Sequence, residues 1–283
     1  MILTVAVAAA LQAALPVQSS VKPGTARPAA SAPALPSARV PHRVVIDAGH
    51  GGVDPGAGMR GNARVHEKDV TLQVSLKVGD ILRKLGVEVV YTRTKDTLIA
   101  RADRGRIANE AGGDVFISIH VNAANPGWRD PTAARGFETY FLGVAKTEDA
   151  RRVEEMEEYS ERFESTSSSG ARDPLDLIVT DMLQNEYLRE SSDLATIIQR
   201  RLKKMHPGPD RGVKQAGFTV LVSAFMPAVL VEIGFGTNPQ EAAFLRSQPR
   251  QMELARAVAG ATMEYLERYK RRVSGGSAAT AHE

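Results

Sequence analysis

Three short apolar runs constrain the fold most: "RVVIDAG" (43–49), "DVFISIHVN" (114–122) and "PAVLVEIGF" (227–235). Each is nearly continuous rather than alternating, and each is rich in Val and Ile. That pattern belongs to strands buried on both faces, as in a parallel sheet covered by helices. The intervening segments carry helical spacing. In "EKDVTLQVSLKVGDILRKLG", Val70, Val74, Val78, Ile81, Leu82 and Leu85 line one face, and Gly86 ends the helix. "VEVVYTR", "GFETYFL" and "GFTVLVS" read as further strands. "ARADRGRIANEAG" reads as a short helix ending near Gly112. "SSDLATIIQRRLKKM" reads as a helix capped by Ser192 or Asp193, and "NPQEAAFLR" as one opened by Asn238 and Pro239. A last amphipathic helix covers about 249–271. Strand–helix alternation predicts an α/β, three-layer fold: a mostly parallel twisted sheet of about six strands with helices on both faces.

The ends of the chain fall outside this pattern. "ILTVAVAAALQAAL" is too short to span a bilayer comfortably and resembles the apolar core of a secretory signal peptide, although no Lys or Arg precedes it. Residues 17–42 are rich in Pro, Ala and Ser and read as a flexible tether. Residues 273–283, "VSGGSAATAHE", read as a disordered tail. The expected organisation is a signal peptide over 1–16, a linker over 17–42 and one domain over 43–272, exported to the periplasm or cell envelope. The net charge of +3 argues against a nucleic-acid partner. With no cysteine, any metal must be held by His, Asp or Glu.

The apolar runs deliver ionisable residues to one place. His50 follows the first, His120 lies near the end of the second, and Glu232 interrupts the third. The carboxyl ends of parallel strands share one sheet edge, where active sites form. Glu67 opens the long helix that returns to that edge. Two His and one Glu suit a catalytic zinc site with a position left open, and a further glutamate suits a general base. "GHGGVDPGAG" has neither the spacing of a phosphate-binding P-loop nor a helix starting directly after it, so a phosphate cradle is excluded. Its glycines are expected to let the chain turn tightly and to leave room for a bulky ligand.

Taken together, "VVIDAGHGGVDPGA", "HEKDVTL", "RADRGRIAN", "VFISIHVNAA", "RGFETYFL", "RGVKQAGFTVL" and "PAVLVEIGFGTNPQEAAFL" resemble the zinc-dependent N-acetylmuramoyl-L-alanine amidases of the amidase_3 group, over about 43–270. The resemblance implies that His50, Glu67 and His120 bind Zn²⁺ and that Glu232 is the catalytic glutamate. His66 adjoins Glu67, but the family's Glu-Lys pair matches Glu67. It implies hydrolysis of the amide between N-acetylmuramic acid and the L-alanine of the peptidoglycan stem peptide, by a chain expected to act as a monomer. A catalytically silent wall-binding or activator module on the same fold would be signalled by loss of one of these four residues, and all four are present. A zinc hydrolase of another amide is the remaining alternative.

Between "YFL" and the helix expected at 192, nearly fifty residues intervene where a short connection would suffice. "EDARRVEEMEEYSERFE" is helical and strongly charged, "STSSSGARD" is a break, and "PLDLIVTDMLQNEYLRES" reads as a second helix with Leu175, Ile178, Met182 and Leu183 on one side. The segment 144–190 resembles the insertion of the division-associated amidases, in which a helix covers the zinc cleft until an activator protein displaces it. Glu154, Glu155, Glu157, Glu158 and Glu161 are the carboxylates on offer. The alternative is a solvated charged helix with no regulatory role.

Overall fold

The computed structural model describes residues 43–56, 65–125, 127–164 and 174–279, with side chains omitted for 174–185 and 274–279. The expected signal peptide and linker, the break at 165–173 and the last four residues lie outside the described residues, as do the side chains of Leu175, Ile178, Met182 and Leu183.

Six strands form one sheet in the order β2-β1-β3-β6-β4-β5. They are β1 (Arg43–Ala48), β2 (Glu88–Tyr91), β3 (Val115–Asn122), β4 (Phe137–Leu142), β5 (Asp210–Ala216) and β6 (Ala228–Phe235). Strands β2, β1, β3 and β6 are parallel; β4 runs antiparallel to β6, and β5 is parallel to β4. The expected mostly parallel, six-stranded α/β sheet is the one observed.

Alternate residues of the buried strands serve two cores. Val44, Ile46, Ile117, Ile119, Val229 and Val231 pack against α1 (Glu67–Lys84), α4 (Pro174–Leu202), α6 (Pro239–Arg246) and α7 (Gln248–Ala279). Val45, Phe116, Leu230 and Tyr140 pack on the opposite side, against α2 (Arg101–Glu110), α3 (Glu148–Glu158) and α5 (Thr219–Val222). Each fully buried apolar side chain contributes about 1.5–3 kcal/mol, so the strand pattern alone commits the sheet to helices on both faces. His120 and Glu232 continue the second set of alternating positions and therefore face the α3 layer.

Several helix ends follow the expected chemistry. Gly86 adopts φ +84° after α1, and Val87 N donates to Leu82 O in the manner of a glycine-terminated helix. Asn238 accepts from the backbone N–H groups of Gln240 and Glu241 and caps α6.

Three expectations are corrected. "GFTVLVS" is not a strand. Its centre is the short helix α5, and the sheet is completed by the preceding "DRGVKQA" as β5. That edge strand is half-buried and carries polar residues, so it lacks the apolar signature, while the β-branched residues of α5 mimic one. No helix starts at Ser192: α4 runs unbroken from Pro174 to Leu202. The expected caps Ser192 and Asp193 therefore lie inside the helix, and Asp193 accepts from Arg272 Nη1 of α7 at 2.8 Å. The last helix passes its expected end at about 271 and continues to Ala279, since extending a formed helix costs far less than starting one.

Candidate active site

His50 sits two residues past β1 with φ +58°, the sole non-glycine residue with positive φ among those described. Such a backbone costs ~1 kcal/mol, and its persistence at a site is a mark of function. The loop is held from beneath. Arg104 donates to Ala48 O (2.6 Å), His50 O (2.9 Å) and the buried Asp47 carboxylate (2.9 Å). Arg93 donates to Ala48 O and Gly49 O at 2.9 and 2.8 Å. Asp47 also accepts from Ser118 and Thr92.

Four side chains converge above this platform: His50, Glu67, His120 and Glu157. One donor atom from each lies within 4.8 Å of all the others. Nε2 of His50 is 3.2 Å from Glu67 Oε1 and 3.1 Å from Glu157 Oε2. Nδ1 of His120 is 3.3 Å from Glu67 Oε1 and 2.9 Å from Glu157 Oε2. The two imidazoles meet edge to face at 5.0 Å. Yet His50 Nε2, His120 Nδ1 and Glu157 Oε2 are fully buried without a hydrogen-bond partner. These atoms approach to 2.9–3.3 Å without well-aligned hydrogen bonds, as donors around a common centre would. Buried polar atoms are seldom left so, and two imidazoles with two carboxylates are a donor set for a divalent cation of the zinc type. The field agrees. Burial lowers the affinity of both imidazoles for protons, but Glu67 and Glu157 outweigh it. They raise His50 well above the ordinary range and His120 to about 10. The cluster draws positive charge.

Each donor is oriented from behind. Nδ1 of His50 donates to Asp54 Oδ2 at 2.8 Å, which leaves Nε2 as the inward lone pair. Glu67 Oε1 accepts from Val121 N at 2.7 Å. The glycines make room for these donors: a Cβ on Gly49 would fall 2.6 Å from the His120 ring, and one on Gly56 2.5 Å from Glu67 Oε2. The space they create holds the protein's own His and Glu, where sequence reasoning expected it to serve a ligand. His66 is exposed and lies outside the cluster.

Glu232 is the strand partner of His120 in the β3–β6 register. It is fully buried, and neither carboxyl oxygen has a hydrogen-bond partner. Burial, then Glu157, Glu67 and Glu138, raise its pKa well above the usual carboxyl range against the opposing pull of His120. The structure thus brings together all four residues singled out from the sequence and adds Glu157 from α3. Asp47, Asp54, Arg93 and Arg104 were missed. A carboxylate inside the apolar run "VVIDA" was the available signal, since such a residue must be paired.

With α3 in place the cluster is closed to solvent. His50, His120 and Glu157 are each 5–6% exposed and Glu67 and Glu232 not at all. Thr147 caps α3 by accepting from Ala150 N, and Ala150, Val153 and Glu157 form its buried stripe. Arg101 pairs with Glu158 and Glu164, Thr219 N and Oγ1 donate to Glu158, and Arg152 donates to Ala123 O.

A family model described as N-acetylmuramoyl-L-alanine amidase matches residues 44–263, a span that includes every residue of the cluster. The chain is 34% identical over 225 residues to N-acetylmuramoyl-L-alanine amidase AmiA of Escherichia coli K12, covering 79% of this chain and 75% of that one. It is 31% identical over 225 residues to N-acetylmuramoyl-L-alanine amidase AmiC of Neisseria meningitidis serogroup B, covering 79% and 52%. Among solved structures, the N-acetylmuramoyl-L-alanine amidase of Clostridium difficile 630 superposes with a TM-score of 0.58 at 28% identity, over 81% of this chain and 98% of the other. The chain belongs to the Amidase_3 family and is an enzyme of the N-acetylmuramoyl-L-alanine amidase class.

Proposed function

We propose that the protein is a zinc-dependent, exported peptidoglycan amidase held inactive by its own insertion. The observation that supports this is the origin of the four donors. Glu67, His50 and His120 belong to the sheet and its first helix, whereas Glu157 arrives on α3, at the position a substrate or water needs. His50, Glu67 and His120 would hold the zinc ion, which when bound would supply Lewis acidity toward the scissile carbonyl and a water at neutral pH.

The chain's own residues do the rest. Asp54 fixes the His50 tautomer. Glu232 takes the proton of the attacking water and delivers it to the leaving amine, so that amide and water become the lactyl carboxylate and a free L-alanine amine. With α3 docked, burial first and the Glu157 charge second raise the pKa of Glu232 and favour its neutral form, which is the wrong form for a base. Displacement of α3 removes that negative neighbour, lowers the pKa of Glu232 and opens the cleft in one movement. A partner protein that binds α3 would act as the activator, in keeping with a role in cell division.

The test is product analysis. The full chain with residues 146–172 deleted and one zinc bound is expected to release stem peptides with a free L-alanine amino terminus from purified sacculi, faster than the intact chain. Products cut at another amide would favour the alternative zinc hydrolase, and a rate equal to that of the intact chain would refute autoinhibition.

A further inference from the structure

Asp149 stands at the start of α3, over β5. Its Oδ2 accepts from Arg211 Nη2 at 2.7 Å and from Lys214 Nζ at 2.6 Å. The same two cations donate to Oε2 of Glu138, Arg211 through Nε at 2.9 Å. Glu138 is fully buried, and its other oxygen accepts from Asn122 (2.7 Å) and Tyr140 (3.0 Å). It is also the strand partner of Glu232, because β4 runs against β6 and so begins at the active-site edge. The cation pair therefore lies two strands from Glu232, fixed to the sheet, with Arg211 stacked 5.1 Å over the Phe235 ring.

Asp149 also pairs through Oδ1 with Arg152 of α3 itself, at 3.3 Å, and both would leave with the helix. Two cations face two carboxylates, but just one of these, Glu138, belongs to the sheet. When α3 leaves with Asp149, a half-buried Arg–Lys pair keeps one permanent counter-charge and gains an open acceptor position. A partly desolvated cation without a partner is costly, so such a place favours an anion. The geometry, with two donors converging on one carboxylate oxygen, selects a carboxylate or a group like it.

We infer that Arg211 and Lys214 form a carboxylate-binding subsite for the stem peptide and that Asp149 occupies it as a stand-in when the enzyme is closed. On this view α3 fills the cleft at two points, Glu157 at the donor cluster and Asp149 at the cation pair. They lie eight positions apart in the helix, about 12 Å along its axis. An extended peptide advances roughly 3.4 Å per residue, so the recognised carboxylate belongs about three to four residues beyond the scissile amide. The inference rests on the proposed peptidoglycan specificity.

The experiment uses the full chain carrying Glu157→Ala, with a muramoyl-pentapeptide whose peptide carboxylates are free and the same compound with those carboxylates converted to amides. The Glu157→Ala chain should cleave the free acid with about tenfold higher kcat/KM, the worth of one charge-assisted hydrogen bond. Adding Arg211→Gln or Lys214→Met should abolish that preference, read through KM as the ratio of the two compounds on one preparation, while Lys214→Arg should retain it. Equal cleavage of both compounds by the parent overturns the subsite. Equal losses on both compounds in the variants also overturn it, since they mean that the pair only supports Glu138. If the zinc-loaded parent cleaves neither compound, the functional reading itself fails and the subsite with it.

Discussion

The two sides of the donor cluster are built in different ways. The sheet side is permanent. Its donors hang from fully buried strands and from α1, and they are aimed by buried bonds from Asp54, Val121 N, Arg93 and Arg104. The α3 side is attached differently. It has only three apolar residues, Ala150, Val153 and Met156, and most of its attachments are ion pairs with partial solvent access. Such pairs are worth about 0.2–1 kcal/mol each when exposed, against several times that for a core strand. Three donors of the set belong to the sheet and α1, and one, Glu157, belongs to α3. The proposed switch needs such a division, because loss of Glu157 leaves the other three on elements of their own.

That contrast can be broken at either side. The largest effect belongs to the sheet. Glu232→Gln should leave zinc content and fold unchanged and reduce hydrolysis by about 10²–10⁴-fold, the usual worth of a positioned acid–base group. Near-normal cleavage of sacculi by this variant would remove Glu232 from its role. Next, Asp54→Asn replaces the acceptor that orients His50 and should weaken zinc binding about 10–100-fold in a chelator competition. Unchanged affinity would mean that Asp54 serves only the turn. On the α3 side, Arg101→Met deletes the anchor of Glu158 and Glu164 and should raise basal hydrolysis about two- to fivefold, in proportion to the loss of about 1 kcal/mol of docking.

The smallest effect is one of pH, again on the permanent side. His206 packs against Phe137 and Phe244, its Nδ1 accepts from Gly208 N and its Nε2 donates to Ile233 O. Burial depresses its pKa to about 4. Because the folded value lies below the unfolded value of about 6.5, the unfolded chain binds the extra proton between them. The stability that neutral His206 contributes is present above about pH 6.5 and is lost as pH falls towards 4. The pH dependence of urea unfolding should show this slope in the intact chain, and His206→Gln should flatten it.

The same division explains what was legible in the sequence. β1, β3, β6 and α1 announce themselves, because burial on both faces or along one stripe leaves a periodic apolar signature. His50, Glu67 and His120 meet because they stand where those elements end or begin, and Glu232 joins them as the strand partner of His120. β5 was hidden: an edge strand that carries Arg211 and Lys214 for polar work has no apolar run. α5 misled for the opposite reason, since a buried "TVLV" turn looks like a strand. α3 was recognisable as a helix, but five glutamates competed for one position. The choice depends on how the helix is rotated against the sheet, a tertiary matter. Ala150, Val153 and Glu157, at i, i+3 and i+7, carried the local hint, because a carboxylate that extends an apolar stripe faces inwards.

The most direct test of the closed, four-donor site is Glu157→Ala in the full chain, with zinc content and hydrolysis of purified sacculi measured on the same preparation. Three donors from the sheet side should still hold one zinc per chain, and basal hydrolysis should rise on the order of tenfold as the closed population falls. A chain with full zinc whose rate is unchanged would contradict the account.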